Sequence, residues 1–191
     1  VMIYDTIGEY SLAKGLYLKC VGNFSIIGVG SPVINITSTQ YKEIEIQSYG
    51  FTMNNIKINS TYTGGTRFFI RLKPYRIASE TIYYNIDITN CDFVNISESS
   101  NVFIAISASN INDIGTVNIK NNNFINCYRP IHLTAQATNA FIDGNKFKNS
   151  STLAGTVDAP LRNYLLINGS FKKVKITANE FENTGILHLN G

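Results

Sequence analysis

The stretch VNIKNNNFIN, Val117 to Asn126, decides how the rest of the chain is read. Its relatives are VKITANEFEN (Val174 to Asn183), AFIDGNKFKN (Ala140 to Asn149), IDITNCDFVN (Ile86 to Asn95) and a weaker copy, IEIQSYGFTM (Ile44 to Met53). The shared template is apolar-x-Ile-x-x-Asn-x-Phe-x-Asn. Its aromatic position is filled by Phe51, Phe93, Phe124, Phe147 and Phe181. Its central amide is Asn122, Asn145 and Asn179, with Cys91 and Tyr49 in the other two copies. A unit repeated at a spacing of tens of residues marks a solenoid.

A second element follows each copy: two aliphatic residues flanking a variable one. The triplets are Ile70-Arg71-Leu72, Ile104-Ala105-Ile106, Ile131-His132-Leu133, Leu165-Leu166-Ile167 and Leu187-His188-Leu189. Such alternation is a half-buried strand, not a helix. One coil therefore carries at least two short strands, with a tight Asn-containing bend after the first. Stacking at the strand spacing of roughly 4.8 Å would place the Phe residues in one ladder and the Asn residues in another. Stacked amides can hydrogen-bond from coil to coil.

Upstream, residues 8–37 read as the first coils. Their alternating runs are Leu16 to Leu18, Phe24 to Ile27 and Val33 to Ile36, with Gly28 and Gly30 breaking the second from the third. Residues 44–191 hold the repeat copies, and the whole of 1–191 reads as one domain. Long insertions near 54–69 and 150–164 leave one corner, and further insertions near 73–83 and 107–115 leave another. Insertions on one side of a repeat protein often mark its binding face.

The 191 residues carry 15% charged side chains and a net charge of +3, with no basic cluster, which argues against nucleic acid as the main partner. No run of eighteen apolar residues is present, so no membrane span is expected. The 3 cysteines, Cys20, Cys91 and Cys127, are odd in number and scattered, and they read as buried free thiols, not a disulfide framework or a zinc site. No cofactor or metal is expected. The start at Val1 and an end just after the last strand, without a polar cap, read as a piece excised from a longer protein.

The template resembles that of right-handed parallel β-helix proteins of the pectate-lyase-like superfamily, most of all phage tailspikes and capsule depolymerases. The fold class expected is thus all-β: a right-handed parallel β-helix, a solenoid of stacked single-stranded coils. The resemblance implies binding, and hydrolysis more than lysis, of a bacterial capsule or O-antigen polysaccharide. It also implies a homotrimer in the full-length protein, and a place on a virion tail or outside the cell after assembly in the bacterial cytoplasm. Two alternatives stay open: a non-catalytic adhesin or structural shaft, and a secreted pectate-lyase-like polysaccharide enzyme. The calcium-site Asp cluster of pectate lyases and the Asp-Asp and Gly-His-Gly motifs of polygalacturonases are absent from this chain.

In the proposed alignment, Glu45 and Asp87 occupy one outward ladder position in neighbouring copies, with Asp92 close by after the bend. Their backbones would lie about 5 Å apart. Glycoside hydrolysis needs such a pair, one carboxyl protonating the leaving oxygen and the other attacking or activating water. A solvated acidic strip is the other reading. His132 is a candidate general acid or sugar hydrogen-bond donor, or a surface histidine with no role. Tyr62, Arg67, Arg71, Tyr75 and Arg76 form a Tyr- and Arg-rich stretch suited to stacking on and gripping an acidic glycan. The same composition suits a subunit interface.

Overall fold

The computed structural model describes residues 2–4, 9–12, 16–20, 22–37, 44–60, 67–74, 84–95, 103–127, 129–148, 163–168, 171–182 and 186–190. The strands in chain order are β1 (Met2–Tyr4), β2 (Glu9–Leu12), β3 (Leu16–Lys19), β4 (Asn23–Val29), β5 (Val33–Ile36), β6 (Ile44–Ser48), β7 (Gly50–Asn54), β8 (Lys57–Ser60), β9 (Arg67–Pro74) and β10 (Tyr84–Thr89). They continue as β11 (Asp92–Asn95), β12 (Phe103–Lys120), β13 (Asn123–Ile125), β14 (Arg129–Asp143), β15 (Lys146–Lys148), β16 (Asn163–Asn168), β17 (Phe171–Thr177), β18 (Glu180–Glu182) and β19 (Ile186–Asn190). Among the described residues every strand pair is parallel.

The pairing sorts these strands into three stacked faces. Face A runs β3-β6-β9-β12-β14-β16-β19. Face B runs β1-β4-β7-β10-β12-β14-β17. Face C runs β2-β5-β8-β11-β13-β15-β18. Strands β12 and β14 are long enough to belong to face A at their start and face B at their end, which joins those two faces into one 12-stranded sheet. The chain visits A, B and C in turn and then begins the next rung. That all-β, all-parallel order is consistent with a parallel β-helix.

Alternating sequence explains why each face has an inside. Strand β6 buries Ile44, Ile46 and Ser48 and leaves Glu45 and Gln47 half-buried on the outer side. The same period of two buries Ile86 and Ile88 in β10, and Val117 and Ile119 in β12. On face C, Phe93, Phe124, Phe147 and Phe181 stack with ring centroids 5.1, 5.1 and 5.0 Å apart. The first three are buried, whereas Phe181 is 44% exposed at the end of the row.

The bend between faces B and C repeats from rung to rung. Asn55, Asn90, Asn121, Gly144 and Ala178 hold φ values of 57, 56, 55, 63 and 52° there. Asn and Gly tolerate this left-handed region, and Ala does so at a penalty. The next residue points inward. Asn122 and Asn145 are fully buried, and each donates twice through Nδ2: Asn122 to Asn145 Oδ1 (3.0 Å) and Ile88 O (2.9 Å), Asn145 to Asn179 Oδ1 (3.0 Å) and Ile119 O (2.8 Å). Their Oδ1 atoms accept backbone N–H groups of the preceding rung, from Cys91 at 2.9 Å and Asn122 at 3.0 Å. Cys91 ends this row, its Sγ donating to Thr89 O at 3.2 Å. Burial pushes its thiol up to about 12. In an earlier rung the bend is wider, and Gly28 is required there. A Cβ at Gly28 would lie 1.9 Å from Asn55 O, while Asn55 Nδ2 donates to Gly28 O (3.2 Å) and to Gly30 O.

Four sequence expectations need correction. The copy IEIQSYGFTM is misplaced: Ile44 and Ile46 pair with Ile70 and Leu72 on face A, and Phe51 pairs with Ile86 on face B. The matching copy is Phe51 to Ser60, in which Ile56 stands where other rungs carry the inward Asn and Ile58 where they carry Phe. Phe51 is buried, but it stacks on Phe24 at 6.5 Å outside the face C row. The slip arose because Ile44-x-Ile46 alternates as well as Phe51-x-Met53 does. The triplet in register with Ile70-Arg71-Leu72 is Ile106-Ser107-Ala108, two residues beyond the expected one; a slip of two keeps the same side chains inward. Residues 54–60 are bend and strand, not insertion, and 107–115 continue β12 through register shifts between Ser109 and Ile114. Of the rest, 67–69 and 73–74 belong to β9 and 163–164 to β16, while 61–66, 75–83 and 150–162 lie outside the described residues.

Candidate functional site

The outer side of face A places several polar residues in one row. Register places Tyr17, Glu45, Arg71, Ser107, His132, Leu166 and His188 on one ladder. Parallel neighbours lie about 4.8 Å apart, so this is a straight strip with a near-constant step. Tyr17 is 57% exposed. The Arg71 guanidinium reaches the Glu45 carboxylate at 4.0 Å, with side-chain exposures of 30% and 16%. His132 is half-buried two rungs beyond Arg71.

The strip is built by local sequence. The aliphatic neighbours of these residues are drawn inward, Ile44 and Ile46 beside Glu45, Ile70 and Leu72 beside Arg71, Ile131 and Leu133 beside His132, and Leu18 beside Tyr17, which sends the residue next to them outward. Rigid strands then fix the order of the outward groups, and a site on strands is held more firmly than one on loops. The result is an aromatic plate, a carboxylate, a guanidinium and an imidazole in a row. Such groups can stack on a sugar face, accept hydroxyl protons and donate to hydroxyl or carboxylate oxygens.

Asp87 and Asp92 do not join this strip. Asp87 is on face B, beside Thr52 and Asn118, and accepts a 2.8 Å hydrogen bond from Asn118 Nδ2. Asp92 is on face C and accepts from Asn123 Nδ2 at 2.5 Å. The expected Glu45/Asp87 pair is therefore not formed. The ladder partners of Glu45 are Tyr17 and Arg71. Of the expected glycan contacts, Arg71 and His132 share the strip, and the backbone of Arg67 pairs with Phe103 on the same face. The side chain of Arg67, and Tyr62, Tyr75 and Arg76 entirely, lie outside the described residues. Tyr17 was missed from sequence, although Leu16-Tyr17-Leu18 has the same aliphatic-x-aliphatic form as the later triplets.

Among the described residues, no group of three or more His, Cys, Asp or Glu side chains is gathered to hold a metal ion. Among the described residues there is no helix long and apolar enough to cross a membrane. Cys20 is half-buried, and Cys91 and Cys127 are buried; all three are thiols outside any disulfide. No family model, no curated protein and no solved structure matches the chain.

Proposed function

We propose that the chain is a right-handed parallel β-helix of the tailspike kind that holds a bacterial surface polysaccharide along face A. The observation that carries this reading is the single outward ladder of Tyr17, Glu45, Arg71 and His132. A regularly stepped row of outward groups suits a linear polymer better than a small molecule, which needs a concave pocket. The partly shielded Glu45–Arg71 pair supplies an acceptor and a planar donor side by side. Beside them Tyr17 supplies a plate with a polar tip. Binding to a panel of capsular and O-antigen polysaccharides tests it. Tyr17→Ala or Arg71→Ala should weaken binding about tenfold, and unchanged binding in both variants would overturn the assignment of face A.

A second reading is a non-catalytic adhesin or shaft of the same fold. It gains from the register that separates Glu45 from Asp87, since hydrolysis of a glycosidic bond uses two carboxyls roughly 5–10 Å apart. Release of reducing ends from a bound polysaccharide separates the two readings. In the full-length protein, a homotrimer closed about a threefold axis is the assembly proposed.

A further inference from the structure

We propose that a second, anion-selective site lies on face B around Phe141, and that it takes a carboxylated polysaccharide segment. Phe141 is an outward, half-buried residue of β14, with Asn118 before it and Lys175 after it in register. Lys120 reaches over its ring from the preceding rung at 5.8 Å, and Lys173 from the following rung at 5.9 Å. Lys173 and Lys175 are exposed, and both point outward from β17. Two ammonium groups thus lie over one aromatic ring, near the outer limit of about 6 Å for a cation–π contact, and a third lysine, Lys175, is the ring's register neighbour.

What points to a ligand is the contrast with the adjoining face. On face C the same two rungs carry Lys146 and Lys148, and each meets a register-matched glutamate: Glu180 at 3.3 Å and Glu182 at 2.9 Å. The same kind of register was available on face B, but there Lys173 faces Asn139 and Lys175 faces Phe141. Among the described residues, Lys120, Lys173 and Lys175 have no carboxylate within salt-bridge reach. The nearest acid by register is Asp143, beside Lys120, and its Oδ1 accepts the hydroxyl of Thr177. Like charges gathered on one sheet face repel one another, and an external anion relieves that repulsion. The lysine stems and the Phe141 ring add an apolar floor to the cationic rim.

A polyuronate fits this surface because it offers carboxylates at regular intervals along an otherwise amphipathic chain. A nucleic acid fits less well. The net charge of the whole chain is only +3, and on the adjoining face C the lysines Lys146 and Lys148 are paired with glutamates, so among the described residues the basic patch does not continue as a stripe for a phosphate backbone to follow. This site lies on a different face from the Tyr17–His132 strip and does not depend on it.

The test compares alginate oligosaccharides with neutral dextran oligosaccharides and a single-stranded oligonucleotide, measured by calorimetry on the chain. Lys173→Gln/Lys175→Gln should weaken alginate binding about tenfold. Lys146→Gln/Lys148→Gln, which removes the same net charge from face C, should change it less than about twofold. Dextran binding should respond to neither pair. Equal losses from both double variants would reduce the effect to bulk charge and overturn the site. No alginate binding by the parent chain, or tighter binding of the oligonucleotide, would overturn it as well. Because the face A strip is tested through Tyr17 and Arg71, its failure leaves this result unaffected.

Discussion

Replacing Asn145 with alanine strips the middle amide from a buried row. Asn145 Oδ1 accepts both the backbone N–H and the side-chain Nδ2 of Asn122, each at 3.0 Å, and its own Nδ2 satisfies Ile119 O at 2.8 Å. Without it, two buried donors on Asn122 and one buried acceptor on Ile119 lose their partner. Asn179 Oδ1 loses one of its two donors and keeps the backbone N–H of residue 145 at 2.9 Å. A stranded buried polar group costs about 1–3 kcal/mol, so the summed loss is about 3–5 kcal/mol after local relaxation. Cys91→Ala, at the end of the same row, removes a buried thiol and its contact to Thr89 O but strands no side-chain amide, and should cost about 1 kcal/mol. Urea unfolding, followed as the shift in midpoint at constant slope, measures both. If Asn145→Ala costs no more than Cys91→Ala, the row of amides does not hold the rungs together and the reasoning fails.

Ala178 sits at φ 52° where other rungs use Asn or Gly, so Ala178→Gly should raise stability by about 1 kcal/mol in the same urea assay. Phe124→Ala removes a fully buried ring stacked on both sides and should cost about 4 kcal/mol, whereas Phe181→Ala, 44% exposed at the row's end, should cost less than half of that. The folded Cys91 thiol is pushed from 9.0 up to about 12, so above pH 9 the unfolded chain loses this proton first. Stability should therefore fall between about pH 9 and 12, with a contribution of up to about 1.4 kcal/mol per pH unit that is absent below pH 9 and absent in Cys91→Ala.

Much of the architecture was legible because two features repeat strictly. The Asn-x-Phe spacing of residues 122–124, 145–147 and 179–181 announces an inward amide followed by an inward ring, and in these copies both ladders form, although Phe51 stands outside the ring row. Legibility failed at the first copy, where Ile56 and Ile58 replace the amide and the ring and so remove the marker. Alternation alone could not then separate Ile44-Glu45-Ile46 from a template strand, because a period of two is shared by all three faces. That one slip carried Glu45 from face A to face B and created the pairing with Asp87. The same slip hid the strip, since Tyr17, Glu45 and Arg71 align only once Ile44–Ile46 is placed among the aliphatic triplets. Sites on the face B corner were harder still. The closeness of Lys120 and Lys173 to Phe141 depends on side chains reaching diagonally across rungs, which no linear spacing reports.

Cysteine cross-linking across face A tests the register on which the proposed binding strip rests. Parallel neighbours in register have Cα atoms about 4.8 Å apart, within the range of about 4.4–6.8 Å that a disulfide spans. In a Cys20→Ser background, Glu45→Cys/Arg71→Cys should close on mild oxidation without loss of folding, and Glu45→Cys/Asp87→Cys should stay reduced. A disulfide formed in the second pair and not in the first would contradict the three-face register and the strip together.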